Sequence, residues 1–119
     1  MSARKDFTID QGSFTRIAFV LSGKDAALDL TDYSAAMQIR RFSFSQEAQD
    51  TLTTCNGRLK IDGPAGRITA TFGAEDTEAY KPEQYLYDLE IQAPNGEIKR
   101  VVEGVITVTP EITKVKCDE

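Results

Sequence analysis

The sequence predicts an all-β protein, a single antiparallel β-sandwich of about seven or eight short strands. Three observations carry this. Apolar and polar residues alternate along most of the chain, and turn signals break the alternation about every ten residues. Stretches with the 3.6-residue period of an amphipathic helix are missing, apart from one short acidic segment. A chain of 119 residues is also long enough to bury a core without disulfide or metal staples. No linker or internal repeat divides it, so one domain over residues 1–119 is expected, with residues 110–119 as a C-terminal tail.

Phe7 and Ile9 alternate with Thr8 and Asp10 in a first short strand that stops at Gln11-Gly12. In residues 14–21 both alternating sets contain apolar side chains, so this strand is expected to be covered on both faces. Ser22-Gly23-Lys24-Asp25 reads as a turn. Tyr33, Ala35, Met37 and Ile39 then form an inward stripe. Residues 42–50 are polar and rich in Gln and Ser, a loop with a helical turn. Leu52, then Leu59 and Ile61, mark two short strands, and Asn56-Gly57 between them predicts a hairpin.

The second half is more regular. Ile68, Ala70 and Phe72 alternate with Arg67, Thr69 and Thr71 after the Gly63-Pro64-Ala65-Gly66 turn. Residues 74–80 are acidic and contain alanine, a short helical turn that Pro82 ends. Tyr85, Tyr87, Leu89 and Ile91 face inward on the next strand, and Pro94-Asn95-Gly96 turns it into a last strand over residues 98–108. Gly104 within that strand is expected to mark a bulge or a close backbone approach. The predicted core holds Phe14 or Phe19, Met37, Ile39, Ile68, Phe72, Tyr87, Leu89, Ile91 and Ile106. The order strand 66–72, acidic turn, Tyr-rich strand 85–91 points to an immunoglobulin-like sandwich. Tyr80 stands where such folds place a corner tyrosine, and it also reads simply as a half-buried core residue.

A net charge of −5 weighs against a nucleic-acid partner, because phosphate binding relies on clustered cations. Arg40-Arg41 is the one adjacent arginine pair, and on a strand the two point to opposite faces. No apolar run approaches the ~20 residues that cross a bilayer, so no membrane partner is expected. Residues 1–6 are charged and lack the apolar stretch of a signal peptide, so folding in the cytoplasm of synthesis is expected.

Candidate chemistry is sparse. The chain has no histidine and no CxxC, which leaves a zinc site without enough soft ligands and the usual catalytic triads without their base. Cys55 and Cys117 lie in polar surroundings and read as free thiols. Asp88 and Glu90 share one strand face at i, i+2, the pattern of a solvated outer surface more than of a carboxylate pair. Asp25, Asp29 and Asp32 are close in sequence but match no calcium loop, and read as turn caps. Gly63 to Arg67 lacks the Lys-Ser/Thr of a P-loop. No catalytic, cofactor-binding or metal-ligating residue is expected.

Six phrases in order carry a family resemblance: Phe7-Thr-Ile-Asp-Gln-Gly12, Leu28-Asp-Leu-Thr-Asp-Tyr33, Ala36-Met-Gln-Ile-Arg40, Gly66-Arg-Ile-Thr69, Tyr85-Leu-Tyr-Asp-Leu-Glu-Ile91, and Val101 through Thr113. Together, over roughly residues 6–113, the chain resembles small tailed-phage proteins encoded among virion structural genes, often near tail-fibre genes. The resemblance implies a non-enzymatic virion component with an immunoglobulin-like domain, made in the host cytoplasm and acting through contacts with other virion proteins. Tail or fibre attachment is the leading expectation. Alternatives are capsid decoration and an independent module that binds carbohydrate or protein, for which Phe42 and Phe44 are the exposed aromatic candidates. A homo-oligomer or larger assembly is expected. Thr107, Val108, Thr109, Ile112 and Val115 carry strand-favouring character past the last confident strand, and Pro110 stops that strand from continuing. Pro110, Ile112 and Val115 are therefore the expected assembly contacts, together with a free outer strand.

Overall fold

Alternation along the chain becomes two packed sheets in a computed structural model, which describes residues 3–23, 28–42 and 47–113. The strands are β1 (Ala3–Arg4), β2 (Phe7–Asp10), β3 (Thr15–Val20), β4 (Ser34–Arg40), β5 (Asp50–Thr53), β6 (Leu59–Asp62), β7 (Arg67–Phe72), β8 (Gln84–Gln92) and β9 (Ile98–Thr109). A five-residue helix, α1 (Ala74–Glu78), joins β7 to β8. The larger sheet runs β1-β9-β8-β4-β5, with β2 also on β9, and the smaller runs β3-β7-β6. This is an immunoglobulin-like order, with β9, β8 and β4 of the larger sheet facing the β3-β7-β6 sheet.

The inner faces are those that alternation selects. Ala35, Met37 and Ile39 of β4, the odd residues 85–91 of β8, and Val102, Ile106 and Val108 of β9 pack against Phe19, Leu59, Ile68, Ala70 and Phe72. Each fully buried Leu, Ile, Phe or Met side chain stabilises the fold by roughly 1.5–3 kcal/mol. Of the two candidate phenylalanines, Phe19 is buried and Phe14 is 57% exposed. The expectation that residues 14–21 are covered on both faces is corrected. Arg16, Ala18 and Val20 are exposed, so among the described residues this outer face of the smaller sheet stays open.

Period-2 alternation does not encode strand direction, and one direction differs from the antiparallel expectation. β1 and β2 run parallel to β9, with Phe7 opposite Ile106 and Ile9 opposite Val108. The other strand pairings among the described residues are antiparallel. The predicted Asn56-Gly57 hairpin is also corrected. β5 pairs with β4 and β6 with β7, so residues 54–58 carry the chain from one sheet to the other. Asn56 still organises this turn. Its Oδ1 accepts from the Thr53 and Arg58 amides, its amide donates to Thr53 Oγ1, and Nδ2 donates to Thr51 O. Gly57 takes the positive φ of +79°. The β8–β9 hairpin forms as expected around Pro94-Asn95-Gly96.

Gly104 divides its expectation. The bulge lies elsewhere in β9, since Leu89 pairs with Val102 and Glu90 with Arg100, leaving Val101 unpaired. The close approach is present. A Cβ at Gly104 would lie 2.1 Å from the Lys5 carbonyl oxygen. That oxygen is turned inward and accepts from the buried Tyr87 hydroxyl at 2.5 Å. The Val105 amide, which would otherwise pair with it, donates to the Asp6 carboxylate. Gly104→Ala must therefore displace main chain at the β1–β2 junction. Expected is a loss of about 1–3 kcal/mol in urea unfolding, with amide-exchange protection falling in residues 3–10. Unchanged protection there would contradict the contact.

The corner tyrosine also moves. Tyr85, at the start of β8, donates to the Lys81 carbonyl four residues upstream at 2.8 Å, which is the corner bond itself. Tyr80 is buried, but its hydroxyl goes to Asp50.

Candidate functional site

Gln11 ties the ends of β2 and β9 to the corner beside α1. Its Nε2 donates to Tyr80 O at 2.9 Å, its amide donates to Thr109 O, and its Oε1 accepts from the Glu111 amide at 3.0 Å. Gly12 follows at φ +85°, with the Glu111 carboxylate lying where a Cβ would stand. The C-terminal segment is thus fixed through Glu111. The next residue, Ile112, is 92% exposed. Of the predicted assembly contacts, Pro110 and Ile112 lie exposed at this exit, and Val115 lies outside the described residues.

The outer face of the larger sheet carries an open groove of about 670 Å³. Ala36 is its small floor residue, between Thr53 on β5 and Glu90 on β8. Asp88 and Glu90 line it, as their shared face predicts, flanked by Arg4, Arg40, Arg100 and Glu103. Arg40 donates to Gln38 Oε1 at 2.6 Å, and Gln38 donates on to Thr51. Arg41 points away to Glu83 at 2.8 Å, so the arginine pair forms no patch. Phe42 is half exposed beside Leu86 and Val105, and Phe44 lies outside the described residues.

Sequence reasoning missed the strongest polar cluster. Arg58 forks onto both Asp50 oxygens at 2.7 and 2.8 Å and also reaches Asp76 at 3.4 Å. Tyr80 donates to Asp50 at 2.5 Å. Desolvation is the largest single influence on Asp50 and pushes its pKa up. The hydrogen bonds from Arg58, Tyr80 and the Thr51 amide, with the Arg58 charge, outweigh it and hold the carboxyl below its usual range. Desolvation and the Asp50 charge push the Tyr80 phenol well up. Every member is partnered, and the cluster joins the β5–β6 crossing to the α1 corner. It is a clamp between sheets. Its sequence signal was weak, since Asp50, Arg58 and Asp76 carry no pattern that links them and Tyr80 reads as a corner or half-buried core tyrosine.

The remaining candidates fall as follows. Asp29 caps the Thr31 amide and hydroxyl, as a turn aspartate does, and Asp32 takes φ +65°. Asp25 and Cys117 lie outside the described residues, and Cys55 is a free, exposed thiol. Among the described residues no group of three or more Cys, Asp or Glu side chains is placed to hold a metal ion.

No protein-family model matches the chain, and no curated protein sequence is similar to it. Among solved structures it is similar to CopC from Methylosinus trichosporium OB3b, at 13% identity and a TM-score of 0.48, over 93% of this chain and 89% of that one.

Proposed function

We propose that the chain is a non-enzymatic structural component of a tailed-phage virion, tail- or fibre-associated, that works through protein–protein contacts. The observation that carries this reading is the anchored exit of the C-terminal segment, supported by the family resemblance of the six phrases. A lone exposed isoleucine is ordinary on a protein surface. Ile112 differs in what precedes it: the Glu111 amide donates to the Gln11 side chain, so docking Ile112 costs little further ordering. The expected outcome of Ile112→Asp, or of deleting residues 110–119, is a folded protein whose copy number in virions falls by about tenfold or more. Normal copy number with either change would move the contacts to the sheet edges.

A second reading rests on the groove of the larger sheet, whose mixed charges suit a polar ligand such as a carbohydrate or a peptide segment. Saturable glycan or peptide binding lost on Ala36→Trp, with virion incorporation intact, would favour it.

A further inference from the structure

We propose that the outer face of the small β3-β7-β6 sheet docks a second copy of this chain through that copy's acidic α1 end. This deepens the virion reading by naming one partner. The face presents Arg16, Lys60 and Arg67, all exposed, against one carboxylate, Asp62. It does so on a chain of net charge −5, so the rest of the surface is more acidic still. None of these three cations makes an ion pair among the described residues, although Arg16 lies 5.1 Å from the Phe14 ring. Between them stand Ala18 and Val20, the latter 59% exposed, a small apolar strip bordered by positive charge.

The complementary surface lies at the Gln11 corner. Asp10, Glu75 and Glu78 are exposed there and Glu111 is half-buried, with Lys81 as the nearby cation. Gln11 and Gly12 bind Glu78 O, Thr77 Oγ1 and the Glu111 amide, which places these acids around one end of the sandwich. Ile112 leaves from the same end. Each surface thus combines an excess of one sign of charge with an exposed aliphatic side chain, and the two excesses are opposite. Different patches meeting head to tail form a ring or a filament, not a closed two-fold pair. Three strands about 4.8 Å apart make a face smaller than the ~800 Å² per partner of a standard interface. A single contact is therefore weak, and an array gains from many.

Sedimentation velocity of the full chain over a concentration series, at low and high salt, tests this with two variants. One neutralises the face (Arg16→Gln, Lys60→Gln, Arg67→Gln) and one the acidic end (Glu75→Gln, Glu78→Gln), with circular dichroism confirming that both fold. Wild type should associate progressively with concentration, and salt should weaken it. Each variant should lose association about tenfold or more. Their equimolar mixture should stop at a one-to-one pair, because each supplies the surface the other lacks. A wild type that stays monomeric, variants that associate like it, or a mixture without pairing would overturn the proposal. So would retention of wild type on a DNA oligonucleotide, lost with the face variant, in place of self-association. A chain found in virions yet monomeric in solution would refute this docking and leave the virion reading standing.

Discussion

Leu89→Ala is expected to cost about 2–5 kcal/mol in urea or thermal unfolding. Leu89 has no exposed surface and sits at the middle of β8, opposite Met37 on one side and Val102 on the other. Truncation leaves a cavity between strands that are hydrogen-bonded on both edges and cannot close over it. The bulge at Val101 lies next to this position, so some relaxation is available on the β9 side and none on the β4 side. A loss below about half a kcal/mol would contradict the packing and the register of β8.

Asp50→Ala is expected to cost about 2–4 kcal/mol, somewhat less than a fully buried pair because both charged side chains keep about a fifth of their surface. The change leaves the Arg58 guanidinium without its fork and the Tyr80 hydroxyl without an acceptor. Asp50→Asn keeps the shape and removes the charge. The pH dependence follows from the depressed carboxyl. Its stabilising share is complete above the ordinary aspartate pKa of about 4 and is lost as pH falls through the lower folded value. The acid limb of a stability-against-pH curve should therefore flatten in Asp50→Asn. An acid limb identical to wild type would show that other carboxylates carry it.

These two positions differ in how far the sequence disclosed them. Leu89 was legible because period-2 alternation depends only on which face is buried, whatever the neighbouring strand is. The same logic placed Met37, Ile39, Ile68 and Ile106. The partners themselves were not legible. Asn56-Gly57 has the chemistry of a tight turn, and it makes one, but local turn chemistry does not decide which sheet the next strand joins. The direction of β2 was hidden for the same reason.

The Asp50 clamp was illegible because its members come from a strand, a crossing loop and the α1 corner, 30 residues apart at most along the Tyr80 contact. Tyr80 and Tyr85 flank one corner, and only geometry tells which hydroxyl turns back to Lys81. Of the candidate contacts, Pro110 was legible as a ladder stop. Gln11, which anchors the segment before Ile112, gave no signal, since a glutamine after a short strand reads as a plain turn residue.

Quantitative mass spectrometry of phage particles purified from cells that carry this chain's gene tests the proposed virion role. The expected result is the chain in the particle at a fixed copy number, retained through density-gradient purification with the tail or fibre proteins. A chain abundant in the lysate but absent from purified particles would contradict it.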